Sequence, residues 1–288
     1  MASKTVRLIF PEWQGGVNPN YAKGAEILAL IAPQGNQCET FRVPVSEDFD
    51  KELEFTDGFY GKIAILAQQK AAYQILEKSQ PDKILTFGGD CSVSQAPFDY
   101  LHGKYQKDMG ILWIDAHPDI SEPEDFSHEH AMVLGNLLGG GAPSIAEIVK
   151  HPFTPQQVMY AGLIESKLMD YEAKKLEKMK IAYATPADLA DGGQPVIQWL
   201  KENKFKYFAV HFDLDALSPK DFYSLLCNEP HTPTVDYAVG QLTLADTVRM
   251  IADASKEASL VGLTIAEYLP WDIINIRKEF AKLDIFND

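Results

Sequence analysis

At 288 residues the chain is long enough for one large α/β domain with a full core, or for two small ones. Its 46% hydrophobic and 23% charged residues are those of an ordinary soluble globular protein, and a net charge of −15 argues against nucleic acid as a partner. No basic run, no apolar stretch of about 18 residues and no signal peptide stands out, so no membrane association is expected and the cytoplasm is the default location.

In chain order, short β-rich runs alternate with longer helical stretches. A strand over Val6–Phe10 leads to a helix over Tyr21–Ile31, and a strand over Thr40–Val45 to a helix over Gly58–Lys78. Lys83–Phe87 is followed by a helix over Ser92–Gly103, Ile111–Ile114 by one over Ala131–Leu138, and Val158–Leu163 by one over Met169–Met179. Then come Ile181–Ala184 with Pro195–Lys201, Tyr207–Phe212 with Leu242–Glu257, and Leu260–Ile265 with a last helix over Ile273–Leu283. Most of the strands are continuous apolar runs, the pattern of strands buried on both faces. The alternation predicts right-handed βαβ units and a parallel sheet of about eight strands. Gly139–Pro143 and Asn228–Thr234 read as loops, and no linker, repeat or low-complexity segment divides the chain. A single α/β domain over residues 1–288 is expected. Three cysteines, Cys38, Cys91 and Cys227, are odd in number and far apart, which does not suggest a disulfide framework.

In open α/β sheets ligands sit outside the carboxyl ends of the strands. Polar residues gather at those ends. Lys83–Phe87 runs into Gly88-Gly89-Asp90-Cys91-Ser92, and Ile111–Ile114 into Asp115-Ala116-His117-Pro118-Asp119. Tyr207–Phe212 runs into Asp213-Leu214-Asp215, and Glu267 follows Leu260–Ile265. Asp-x-His-x-Asp and Asp-x-Asp place alternate side chains on one side of an extended backbone. Carboxylates so close repel unless cations neutralise them, so the pattern predicts a metal site. Two hard divalent ions sharing bridging carboxylates fit the number of ligands; the oxygen-rich set suits manganese, with zinc or iron as alternatives. The competing reading of any single aspartate after a strand is a helix N-cap, and of a single histidine a satisfied core residue.

These segments resemble the arginase–agmatinase (ureohydrolase) family, which includes the formiminoglutamases. The family signatures GGDHS, DAHxD, SxDxDxxDP and a late E-[VL]-N-P appear here, in family order, as GGDCS (Gly88–Ser92), DAHPD (Asp115–Asp119), HFDLDALSP (His211–Pro219) and EYLP (Glu267–Pro270). The resemblance spans nearly the whole chain. It implies a three-layer α/β/α fold around a parallel eight-stranded sheet, a trimer or hexamer, and a small guanidino or amidine substrate. It further implies that Asp115 and Asp213 bridge two manganese ions, with Cys91 and Asp119 completing one site and His117 and Asp215 the other. A hydroxide held between the ions and oriented by Asp119 would attack the substrate carbon. Glu267 would pair with the substrate's cationic nitrogens, and His130 would shuttle protons to the leaving amine, although His128 could hold that position instead.

Departures from the pattern bear on metal and substrate. Cys91 stands where most members carry a ligating histidine, and a thiolate is softer and anionic. A retained pair of ions, a weakened site or a preference for a softer ion would each follow, as would a cysteine that only packs. Some members carry CSVS here, among them hydrolases of N-hydroxylated guanidines such as N-hydroxyarginine. The stretch after DAHPD is ISEPEDFSHEH, and the family's Gly-Leu-Arg-Asp-x-Asp becomes Gly162-Leu163-Ile164-Glu165-Ser166-Lys167. Ser121 and Glu165 in these stretches, with Glu267, are the expected substrate contacts. In the third signature His211 replaces the leading serine and Ser218 an aspartate, and the loop Lys220–Pro233 is longer than in the family pattern. The leading expectation is a hydrolase of C–N bonds in linear guanidines or amidines. Its rivals are a catalytically degenerate binding or assembly protein and, less well matched, a one-zinc deacetylase of related fold.

Overall fold

The computed structural model describes residues 3–35, 38–190, 192–233 and 235–282. The chain order is β1 (Thr5–Phe10), α1 (Asn20–Ile31), β2 (Glu39–Arg42), a short ribbon β3 (Phe55–Thr56) and β4 (Phe59–Tyr60), then α2 (Lys62–Ser79), β5 (Lys83–Gly88) and α3 (Gln95–Tyr105). β6 (Met109–Ile114), α4 (Val133–Leu137), α5 (Pro143–Ala146), β7 (Val158–Ala161), α6 (Asp170–Met179) and β8 (Ala182–Ala184) follow. The chain continues through α7 (Gln194–Asn203), β9 (Tyr207–Asp213), α8 (Leu244–Glu257), β10 (Ser259–Ala266) and α9 (Trp271–Phe280). Eight strands pair in parallel in the order β2-β1-β5-β10-β9-β6-β7-β8. Among the described residues no helix is long and apolar enough to cross a membrane.

The alternation of side chains along each strand builds two cores. On β6, Met109, Ile111 and Trp113 enter one apolar cluster, with Leu76 of α2, Phe98 and Leu101 of α3, and Leu176 of α6. Leu112 and Ile114 enter the other, with Trp199 and Leu200 of α7 and Met250 of α8. Every residue of β6 is buried, so this strand reads as a continuous apolar run because both of its faces are covered. The result is the expected three-layer α/β/α arrangement.

The sheet order matters for function. β5, β10, β9 and β6 are consecutive neighbours, and they are the strands that end in GGDCS, Glu267, DLD and DAHPD. Segments far apart in sequence therefore deliver their polar residues to one edge. Gly89 is required for this convergence: a Cβ there would stand 1.7 Å from the Glu12 carbonyl oxygen.

Boundaries moved where backbone chemistry overrides periodicity. α2 starts at Lys62 rather than Gly58, because Gly58 and Gly61 adopt φ of 89° and 75° in and after the β3–β4 turn. The strand expected over Val158–Leu163 stops at Ala161, ahead of Gly162 at φ 97°. α8 begins after Thr243, whose hydroxyl accepts the Asp246 amide at 3.1 Å, while Leu242 is held in a parallel bridge to Leu217. The helix expected over Ala131–Leu138 is a 3-10 turn at Glu129–Met132 followed by the short α4. Leu283, the expected end of the last helix, and Thr234, the end of one expected loop, lie outside the described residues.

Candidate metal centre

Asp90 behaves as an N-cap: its carboxylate accepts the Ser92 amide at 3.0 Å and the Gly16 amide at 2.9 Å, opening the 3-10 turn Cys91–Ser94. That turn sets the buried Cys91 thiol 2.9 Å from Asp213 Oδ2 and 3.6 Å from Glu267 Oε1. Asp115 and Asp213 are positioned by the same local device. Oδ1 of Asp115 accepts the His117 amide at 2.7 Å, and Oδ1 of Asp213 accepts the Asp215 amide at 2.6 Å. The Trp113 indole donates to Asp115 Oδ2 at 3.1 Å. His117 Nδ1 lies 2.9 Å from Asp215 Oδ2 and 3.5 Å from Asp115 Oδ1.

Asp119 and Glu267 hold positive φ, 50° and 63°, a conformation that non-glycine residues keep only where surrounding structure enforces it. The Tyr21 hydroxyl donates to Glu267 Oε2 at 2.8 Å, and His130 Nδ1 lies 2.9 Å from Oε1. One donor atom from each of Cys91, Asp115, Asp119 and His211 falls within a 4.8 Å cluster. The same holds for Asp115, His117 and Asp215, and for Asp213, Asp215 and Glu267. Asp115 is common to the first two groups and Asp215 to the last two.

The electrostatics express the crowding. Burial, then Asp215, pushes the Asp115 carboxyl up to about 7. Burial and neighbouring carboxylates also push Asp119 and Asp213 well above the carboxylate range. Burial acts against charge on both His117 and Asp215, yet their pairing wins: His117 is raised well above an ordinary imidazole and Asp215 is lowered. Burial, followed by Asp213 and Glu267, pushes the Cys91 thiol up. His130 is raised because Glu267 outweighs burial. Asp119 Oδ2 and His211 Nε2 are buried without a hydrogen-bond partner. Oxygen, nitrogen and sulfur donors that resist ionisation together, with unpartnered atoms among them, fit divalent cations.

Cys91, His117, Asp119, Asp213, Asp215 and Glu267 line a cavity of about 480 Å³, a size suited to a small molecule. Phe126, Tyr171, Leu225 and Tyr237 contribute to largely apolar walls, and Lys167 pairs with Asp236 at 2.7 Å on the lining.

The structure thus brings Cys91, Asp115, His117, Asp119, Asp213, Asp215, His130 and Glu267 together. Ser121 lines the cavity and lies 3.0 Å from the Tyr171 hydroxyl. Glu165 does not join them: it is exposed and accepts a hydrogen bond from Tyr183 at 2.9 Å, because the 3-10 turn Glu165–Lys167 gives the cavity Lys167 instead. His128 also lines the cavity, but its ring meets Tyr60 edge-on, while His130 is the histidine bound to Glu267. Sequence reasoning missed the site roles of Trp113, Tyr21 and His211. Tyr21 and Trp113 read as ordinary apolar positions of a helix and a strand; His211 was visible only as a departure from serine.

Residues 34–271 match the family model described as Arginase family. The arginase of Entamoeba histolytica is 26% identical over 168 residues, covering 56% of this chain and 53% of that protein. The arginase of Plasmodium berghei is 28% identical over 204 residues, covering 67% of this chain and 54% of that one. The chain spans about half the length of the curated relatives it matches. Among solved structures, E. histolytica arginase in complex with L-ornithine superposes with a TM-score of 0.78 at 19% identity, covering 93% of this chain and 92% of that one. Formimidoylglutamase from Bacillus subtilis gives 0.62 at 14% identity, covering 93% and 79%. At these identities the structural likeness is one of fold.

Proposed function

The chain belongs to the arginase family, and on that premise we propose that it is a metal-dependent hydrolase cleaving a C–N bond of a small linear guanidine or amidine. The observation that carries this reading is the convergence of Asp115, Asp119, Asp213 and Asp215 with Cys91 and His117 beneath a cavity that also holds His130 and Glu267. Cys91, Asp115, His117, Asp119, Asp213 and Asp215 are the residues that would hold the ions. When bound, divalent cations supply Lewis acidity that makes water nucleophilic at neutral pH.

The chain's own groups do the rest. Glu267 presents a carboxylate fixed by Tyr21 and His130, suited to the planar N–H fork of a guanidinium. The bond to Glu267 engages His130 at Nδ1 and leaves Nε2 to carry the proton that the departing amine needs. The Asp119 carboxylate, besides helping to hold an ion, would accept a hydrogen bond from the attacking water. The apolar walls and Ser121 would receive the rest of the substrate, an N-substituted guanidine such as N-hydroxyarginine being one candidate. Family resemblance supports two manganese ions, with a different divalent ion as the alternative that Cys91 raises, and a trimer or hexamer.

The test is to load the purified protein with manganese, or with zinc or cobalt, and to assay urea, hydroxyurea and formamide across a panel of guanidino and amidino compounds. Turnover of one class is expected. Absence of turnover across the panel, with ions demonstrably bound, contradicts the hydrolase reading and favours a binding protein.

A further inference from the structure

His211 is outside the ligand set that the family pattern implies, which carries serine at that point. Here its ring is fully buried on β9 and stacked on Trp113, with ring centroids 3.7 Å apart and planes 14° from parallel. Nδ1 is 2.7 Å from the Ser94 hydroxyl oxygen, which fixes the ring from behind. The other nitrogen, Nε2, has no hydrogen-bond partner. It lies 3.8 Å from Asp115 Oδ2 and within the 4.8 Å cluster shared by Cys91, Asp115 and Asp119.

Either tautomer is unfavourable with protein alone. If Nδ1 donates to Ser94, the Nε2 lone pair faces a carboxylate oxygen. If Nε2 carries the proton, the Asp115 oxygen it faces at 3.8 Å is beyond hydrogen-bond reach and the ring is fully buried. A cation between Nε2, Asp115 and Asp119 removes both problems, and the Nδ1–Ser94 contact is the outer hydrogen bond that orients a ligating histidine. The unpartnered Asp119 Oδ2 in the same cluster has the same remedy.

Resting on the metal-centre reading above, we propose that His211 Nε2 is a ligand of the first metal position, supplying the imidazole that Cys91 has displaced. The donor set there becomes Cys91 sulfur, His211 nitrogen and the Asp115 and Asp119 oxygens. Such a mixed sulfur–nitrogen–oxygen set favours borderline ions, zinc, cobalt(II) or iron(II), over manganese, whereas the Asp115–His117–Asp215 position stays hard. Binding at the first position releases the Cys91 thiol proton, because the thiolate is the ligand.

The experiment titrates cobalt(II) into the metal-free full chain and into His211→Asn, His211→Ser and Cys91→Ser, following bound ions and the absorption spectrum. Wild type should bind two ions, one of them giving a near-ultraviolet thiolate-to-cobalt band that Cys91→Ser abolishes. His211→Asn keeps a partner for Ser94 but removes the Nε2 donor. It should weaken the band-bearing site by at least about 100-fold and change its ligand-field spectrum, while the second ion remains bound and reports an intact fold. Independently of any variant, X-ray absorption of wild type with one equivalent of zinc should show sulfur and imidazole in one coordination shell. Unchanged affinity and spectrum in His211→Asn, or a shell with sulfur but no imidazole, overturns the role of His211 and leaves the metal centre standing. Wild type that binds no ion overturns both.

Discussion

His130 Nδ1 stands 2.9 Å from Glu267 Oε1, tying the turn ahead of α4 to the end of β10. With the Tyr21 hydroxyl 2.8 Å from Oε2, the carboxylate is held from two sides at a positive φ. Its charge is what a guanidinium would read. Glu267→Gln keeps size and removes charge, so kcat/KM should fall by about 100-fold or more with ion content unchanged. Tyr21→Phe removes one orienting bond and should cost less, about tenfold, measured by steady-state kinetics on whichever substrate the panel identifies.

The two neighbouring histidines should separate cleanly. Burial and His130 push His128 down to about 4, so it is neutral near pH 7, whereas Glu267 raises His130. His130→Asn should lower kcat by about 100-fold to 10,000-fold and remove the high-pH limb of the rate profile, since deprotonation of His130 ends its service as acid. His128→Asn should change kcat by less than about threefold. Equal losses from both substitutions would contradict the assignment.

The strands and their order of chemistry were legible because parallel strands buried on both faces must be apolar throughout, and because their polar residues can sit only at the ends. Ile111–Ile114, the inner part of β6, and Tyr207–Phe212 announce themselves in this way. What the sequence withheld depends on neighbours in space. That β5, β10, β9 and β6 lie side by side is a property of strand order, which no local pattern encodes. Tyr21 reaches Glu267 across 246 positions of sequence, so nothing near either residue signals the bond. Glu165 and Lys167 were both in view, but which one faces the cavity is decided by a single 3-10 turn. The α2 start was misplaced because Gly58 reads as a permissive helix residue until its left-handed turn is seen.

Beneath the site, Glu129 is buried between Ser92 and Asn136, and burial pushes its carboxyl up to about 8. A folded-state value above the unfolded one near 4.5 means that its stability contribution is complete below about 4.5 and is lost as pH rises through about 8. Gln mimics the protonated form, donating to Ser92 and accepting from Asn136. Glu129→Gln should therefore match wild type at pH 5 and exceed it by a few kcal/mol at pH 9 in denaturant titrations. A difference independent of pH would show that Glu129 does not titrate on folding.

Removing metal should destabilise the chain, and more so as pH rises. Burial lifts Asp115 to about 7 in the metal-free site, so its contribution is present below the unfolded value of 3.8 and lost through about 7. Bound cations reverse this by pairing with the ionised form. At free metal 100 times the dissociation constant, linkage adds about 2.7 kcal/mol for each ion bound, roughly 5 °C in Tm per ion. The gap between loaded and metal-free melting temperatures should widen from pH 5 to pH 8; a constant gap would contradict the coupling.

The central claim is that the carboxylates at the ends of β6 and β9 together hold two cations. Elemental analysis of the chain after dialysis against divalent metal tests it most directly. Two ions per chain in wild type, falling to one or fewer when Asp115→Ala removes the carboxylate common to both groups, is the predicted result. Less than one ion in wild type, or an Asp115→Ala count equal to wild type, would contradict it.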